Sequence, residues 1–148
     1  MSLELTINEA IKTAMREKDR IALDSLRAVK AQILLLKTEA IGAEVSAEQE
    51  IAILQRMIKQ RKDSYDQFTA QGRTDLAEVE EAQSKVIEKF LPQQLSAEEL
   101  ESEIKTIISE TGAESIKDLG KVMGTASKKL AGKSDGKSIS EMVKKLLS

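Results

Sequence analysis

The chain has 148 residues, a formal net charge of −2, 32% charged residues and only 2% aromatic residues. That length allows one domain or two small ones, and high charge with few aromatics favours helices over an extensive sheet. Histidine and cysteine are both absent, which excludes disulfides, thiolate or imidazole metal sites, a cysteine nucleophile and a histidine-dependent triad.

Read in chain order, the apolar periodicity predicts seven helices. The first runs from about Leu3 to Lys18, with a stripe of Leu3, Ile7, Ala10, Ile11 and Ala14. The second, about Arg20 to Ala40, carries Ala22, Leu26, Val29, Ile33, Leu36 and Ala40, a seam for an antiparallel neighbour. The third, about Ala47 to Gln71, repeats that spacing with Ile51, Leu54, Ile58, Arg61, Tyr65 and Phe68. The fourth, about Asp75 to Phe90, offers Leu76, Val79, Gln83, Val86 and Phe90. Arg61 and Gln83 interrupt these seams. They either lie at the seam edge with their polar ends in water, or meet as a polar contact that fixes helix register.

Pro92 ends this bundle, and Phe90–Leu95 reads as a linker. Three shorter helices follow: Ala97 to Thr111, Ile116 to Ala131 and Ile139 to Leu147. Their thin core is expected from Leu100, Ile104, Ile107, Ile108, Ile116, Leu119, Val122, Met123, Ile139, Met142, Val143 and Leu146. The expected organisation is all-α, with residues 1–92 as an N-terminal helical bundle and 93–148 as a C-terminal three-helix module.

Punctuation supports these segments. Ser46–Gln49, Asp75–Glu78, Ser96–Glu99 and Ser138–Glu141 have capping-box spacing, and Ser115–Asp118 is a weaker version. Gly42, Gly72, Gly112 and Gly132 read as helix stops. Glu78, Glu80, Glu81, Glu98, Glu99, Glu101 and Glu103 are assigned to first helical turns, where the dipole favours acids, rather than to acid–base catalysis.

No apolar run approaches membrane-spanning length, and Met1 to Lys12 lacks the order of a secretory signal. A cytoplasmic protein is expected, with no membrane partner and no cofactor. The segment from Gly132 to Ser138 superficially suggests a phosphate loop. Neither Gly-Lys-Ser has a glycine five residues before it, and no strand precedes either. A connection between two helices is expected instead.

Charge is distributed unevenly. Residues 113–148 hold eight lysines against four acids, a net +4, which leaves −6 for the rest. Within this stretch, Gly120 and Gly124 lie four residues apart in a predicted helix. Glycine there costs about 1 kcal/mol against alanine, so an offset is needed. Close packing by another helix is the favoured offset. The functional one is close approach of a nucleic-acid backbone beside Lys121 and Lys128.

Three stretches, Lys59–Gln83, Phe90–Leu100 and Thr111–Leu147, together resemble the YqeY family. These are small proteins related to the tail of the GatB subunit of tRNA-dependent amidotransferase. The resemblance implies two small all-helical domains, the second GatB-tail-like and engaged with tRNA. It also points, through the larger enzyme, to carbon–nitrogen ligation with glutamine as amide donor. No part of that enzyme's catalytic cradle is recognisable in these residues, and no catalytic residue is assigned. The expectation is a non-catalytic tRNA- or RNA-binding accessory protein. RNA contacts are assigned to Lys121, Lys128, Lys129, Lys133 and Lys137, with close backbone approach at Gly120, Gly124, Gly132 and Gly136. The alternatives are a helical module that docks an amidotransferase or synthetase component, and participation in glutamine-dependent amide transfer.

Overall fold

A computed structural model describes residues 2–40 and 44–148. Among them are seven α-helices: α1 (Leu3–Glu17), α2 (Arg20–Glu39), α3 (Ala47–Ala70), α4 (Thr74–Glu88), α5 (Ala97–Thr111), α6 (Leu119–Lys129) and α7 (Gly136–Leu147). A single 3-10 turn, Ile116–Asp118, precedes α6. Contacts group the chain into two compact units, Met1–Leu91 and Pro92–Ser148.

In the first unit, α1 packs on α2, and α4 packs on both α2 and α3. Ile7, Leu26, Val29, Ile33, Leu54, Ile58 and Ile87 lie at the centre. The α1 and α2 stripes face inward as the periodicity predicts. Ile53 and Met57 join the α3 face. In α4 the buried positions are Ala77, Ser84 and Ile87, whereas Val79 is 41% exposed. The inner face is therefore rotated away from the predicted seam. Small side chains at Ala77 and Ser84 let α4 turn that face toward its neighbours, which a search for large apolar residues overlooks.

Arg61 and Gln83, both half-buried, meet directly. Arg61 Nε donates to Gln83 Oε1 at 3.2 Å, and Nη1 donates to the Met57 carbonyl at 3.3 Å. Ion pairs at helix flanks join Lys37 to Glu4 (2.8 Å) and Lys62 to Glu88 (3.5 Å).

Capping explains most boundaries. The Ser46 and Ser96 boxes form in both directions. The Ser115–Asp118 box also forms, and it holds the 3-10 turn. The Asp75 box does not form: α4 starts at Thr74 without a side-chain cap. The Arg73 guanidinium binds both carboxylate oxygens of Asp75 instead. That contact holds the Asp75 carboxyl below its ordinary range. Glu78, Glu80 and Glu81 consequently lie beyond the first turn of α4, as do Glu101 and Glu103 in α5; Glu98 and Glu99 are first-turn acids. Gly112 ends α5 at a φ of +70°, a left-handed value that glycine adopts without a Cβ penalty. Lys18 ends α1 at +58°, a left-handed cap with no glycine to announce it. The predicted stop at Gly42 lies outside the described residues.

The second unit has its own core of Leu100, Ile104, Ile107, Val122, Ala126, Leu130, Ile139, Val143 and Leu147. Ile116, expected inside, is 47% exposed because the 3-10 turn carries it outward. The segment entering α5 is fastened to the α6–α7 turn. The Leu95 amide donates to the Lys133 carbonyl at 2.9 Å, and the Gln94 side-chain amide donates to the Gly132 carbonyl. Ser138 does not cap α7. Asp135 does, accepting from both the amide and the hydroxyl of Ser138 (3.1 and 2.6 Å). A carboxylate is the stronger acceptor for helix N-terminal donors, so α7 begins three residues early.

Candidate nucleic-acid interface

The geometry of α6 follows from its sequence. At 100° per residue, Val122 and Ala126 share one face and are fully buried. Leu119 and Met123 pack beside them as partly buried side chains. The opposite face carries Gly120, Lys121, Gly124 and Lys128, all exposed. Among the described residues, no atom lies within 4 Å of where a Cβ would stand on Gly120 or Gly124, apart from their immediate helical surroundings. The expected packing of a second helix against these glycines is therefore overturned: the core needs the Val122 side of α6, and the glycine side opens outward.

The start of α6 is fixed electrostatically. Asp118 accepts from the backbone amides of Glu114 (2.9 Å) and Ser115 (3.4 Å). These bonds hold its carboxyl below the usual range, with the Lys121 charge acting in the same direction as a smaller cause. At the other end, Lys128 and Lys129 occupy the last turn, where the helix dipole favours cations.

The five candidate lysines fall into different settings. Lys121 and Lys128 share the open face of α6. Lys129 is turned about 100° from Lys128, and its ammonium pairs with Glu110 on α5. Lys133 lies exposed in the turn before α7, its backbone engaged with Leu130 and Leu95. Lys137 is exposed in the first turn of α7. Among the described residues, Lys121, Lys128, Lys133 and Lys137 form no ion pair within 4 Å; Lys129 does. The remaining two glycines differ from the α6 pair. The Gly132 carbonyl is fastened to Gln94. Gly136 opens α7 directly after the Asp135 carboxylate, which already satisfies a helix-start donor and opposes an incoming phosphate there.

Sequence reasoning did not single out Lys145. It lines a cleft beside Lys133, Glu141 and Met142. Its signal was weak, one lysine of an adjacent pair on an amphipathic helix. Among the described residues, no group of three or more acids could hold a metal ion, and no helix is long and apolar enough to cross a membrane.

The fold and this surface define a small all-helical protein that presents a lysine- and glycine-bearing helix face to solvent. A family model for Yqey-like proteins matches residues 4–147, and the chain belongs to the YqeY family. Its similar relatives include a protein of Meyerozyma guilliermondii named "Altered inheritance of mitochondria protein 41, mitochondrial". The two are 35% identical over 91 residues, covering 58% of this chain and 44% of that one. The protein of the same name from Clavispora lusitaniae is 34% identical over 82 residues, covering 55% and 46%. That from Pyrenophora tritici-repentis is 26% identical over 141 residues, covering 93% and 76%. The alignments thus span less than half the length of the first two relatives.

Proposed function

We propose that this protein is a non-catalytic RNA-binding accessory protein, with tRNA as the RNA class, that grips the phosphate backbone through α6. One observation carries the proposal. Gly120 and Gly124 lie on an exposed helix face with open space at their Cβ positions, flanked by Lys121 and Lys128, which form no ion pair within 4 Å among the described residues. Two exposed glycines cost the helix stability, and among the described residues no helix packs within 4 Å of their Cβ positions to offset that cost. An RNA backbone can approach a face without Cβ atoms closely, and ammonium groups on either side complement phosphates. The second unit has no aromatic residue, so base stacking contributes little and phosphate contacts dominate. The likeness to the amidotransferase tail supports tRNA over other RNAs. We include in the proposal the cytoplasmic setting and the organisation into two domains, 1–92 and 93–148.

Titrating tRNA against the wild type and a Lys121→Glu/Lys128→Glu variant at several salt concentrations tests this reading. Wild-type affinity should fall steeply with salt. The variant should bind at least about tenfold more weakly at low salt, with a salt slope shallower by about 1.5. Equal affinity and equal slope would overturn the assignment to α6.

A second reading, docking of a protein partner, is favoured by exposed apolar residues on the first unit. Leu5, Met15, Leu34 and Leu35 are 56%, 55%, 44% and 53% exposed. Capture of an amidotransferase or synthetase component that survives nuclease treatment would support it over direct RNA contact.

A further inference from the structure

The first unit carries a shallow groove of about 240 Å³ between the end of α2 and the start of α3. We propose that it docks a second copy of this chain, groove against groove, in a two-fold dimer. This is independent of the RNA-binding reading.

The groove opens because α2 meets α3 over much less of its length than α4 does. Its lining is apolar along the middle, with Leu36 and Ile53 the more buried and Leu35 and Ala52 exposed. Leu35 is 53% exposed, and the run Ile33–Leu36 is wholly apolar. The outer side of α2 is therefore apolar here as well as the inner one, which on a surface helix marks an interaction face. Gln32 and Arg56 close one end of the groove, joined by a 3.0 Å hydrogen bond from Arg56 Nη2. Glu39 and Gln49 border the other end, about 10 Å further along α2. The two helices thus run antiparallel, and the charges of the groove stand at its opposite ends. Among the described residues, neither Glu39 nor Arg56 forms an ion pair within 4 Å.

Such a surface complements itself. A cation at one end, an anion at the other and an apolar strip between them match the same surface turned through 180°. In a two-fold interface residue i meets residue j, and j meets i. An axis in the plane of the groove, crossing the Glu39–Arg56 line midway and at right angles to it, brings Arg56 of each copy to Glu39 of the other. Leu35 and Ala52 lie level with that midpoint, so the exposed leucine of each copy is covered by the apolar strip of the other. Other occupants fit less well. Ligand clefts enclose roughly 300–1,000 Å³, more than this groove offers. A partner of uniform charge would meet its own sign at one end.

Sedimentation equilibrium of the full chain, at concentrations up to about 1 mM, tests this. The wild type should pass from the mass of one chain to that of two as concentration rises. Leu35→Glu, an exposed substitution, should weaken self-association at least about tenfold. Glu39→Arg and Arg56→Glu should each weaken it about tenfold by setting like charges together. The combined Glu39→Arg/Arg56→Glu chain should recover to within about threefold of wild type, because it exchanges the two signs and keeps the pair. Unchanged far-UV circular dichroism checks that each variant is folded. A wild type that keeps the mass of one chain throughout would overturn the proposal and leave the groove to a partner of another kind. A dimer unaffected by Leu35→Glu would overturn it by placing the contact elsewhere. A combined variant as weak as the single ones would overturn the reciprocal arrangement. None of these results bears on RNA binding by α6.

Discussion

Two helices of this protein line one face with small residues, and they use them in opposite ways. In α4, Ala77 and Ser84 point inward and are 2% and 4% exposed. In α6, Gly120 and Gly124 point outward with nothing above them. On α4 the small side chains let the helix pack against α2 and α3. That packing buries the Ser84 hydroxyl, which meets no hydrogen-bond partner among the described residues, whereas Ser25 on α2 returns its hydroxyl to the Ile21 carbonyl at 2.8 Å. On α6 no packing justifies the small residues. A run of small residues thus marks a surface where something must come close, and only the structure says whether that something is already present.

Enlarging each face separates the two cases. Ala77→Leu forces extra volume into a packed interface and is expected to destabilise the protein by about 2 kcal/mol, read as a lower urea midpoint. A midpoint at or above wild type would mean that α4 is not closely packed. Gly120→Ala and Gly124→Ala should do the reverse. Both glycines lie in ordinary helical backbone with open space at the Cβ position, so each substitution should stabilise by about 1 kcal/mol. The same substitutions should weaken tRNA binding several-fold if the nucleic-acid backbone lies against this face. Stabilised variants with unchanged RNA affinity would separate the glycines from the lysines as contacts.

This comparison also marks how far the sequence could be read. Where local chemistry decided, the reading was close. The bounds of α5, Ala97–Thr111, coincide with those predicted, because Ser96, Glu99 and Gly112 all act on their own neighbours. Where two local groups competed, it slipped. Asp135 and Ser138 are both competent caps, and Asp135 prevails because it takes both Ser138 donors. Where tertiary packing decided, it failed: the inner face of α4 depends on neighbours distant in sequence. The candidate site divides in the same way. Its lysines and glycines were visible as residue types, but the direction of the α6 glycines was read in reverse. The cleft beside Lys145 could not be read at all, because Leu95, Lys133 and Lys145 come from three separate segments.

Arg61 and Gln83 give the smallest and most specific version of the same lesson. Both interrupt an apolar seam, and the structure joins them across α3 and α4 at 3.2 Å. Each side chain is half-buried, so water screens the bond only partly. Arg61→Ala alone also removes the bond to the Met57 carbonyl and the packing of the aliphatic stem, so its total effect is not the strength of the pair. A double-mutant cycle with Gln83→Ala subtracts those contributions. The expected coupling is about 0.5–1 kcal/mol, measured from urea midpoints of the two single variants, the double variant and the wild type. A coupling within error of zero would leave the contact as two polar ends resting at a seam edge. A measurable coupling would make it a register mark between two long helices whose apolar seams alone tolerate sliding by a turn.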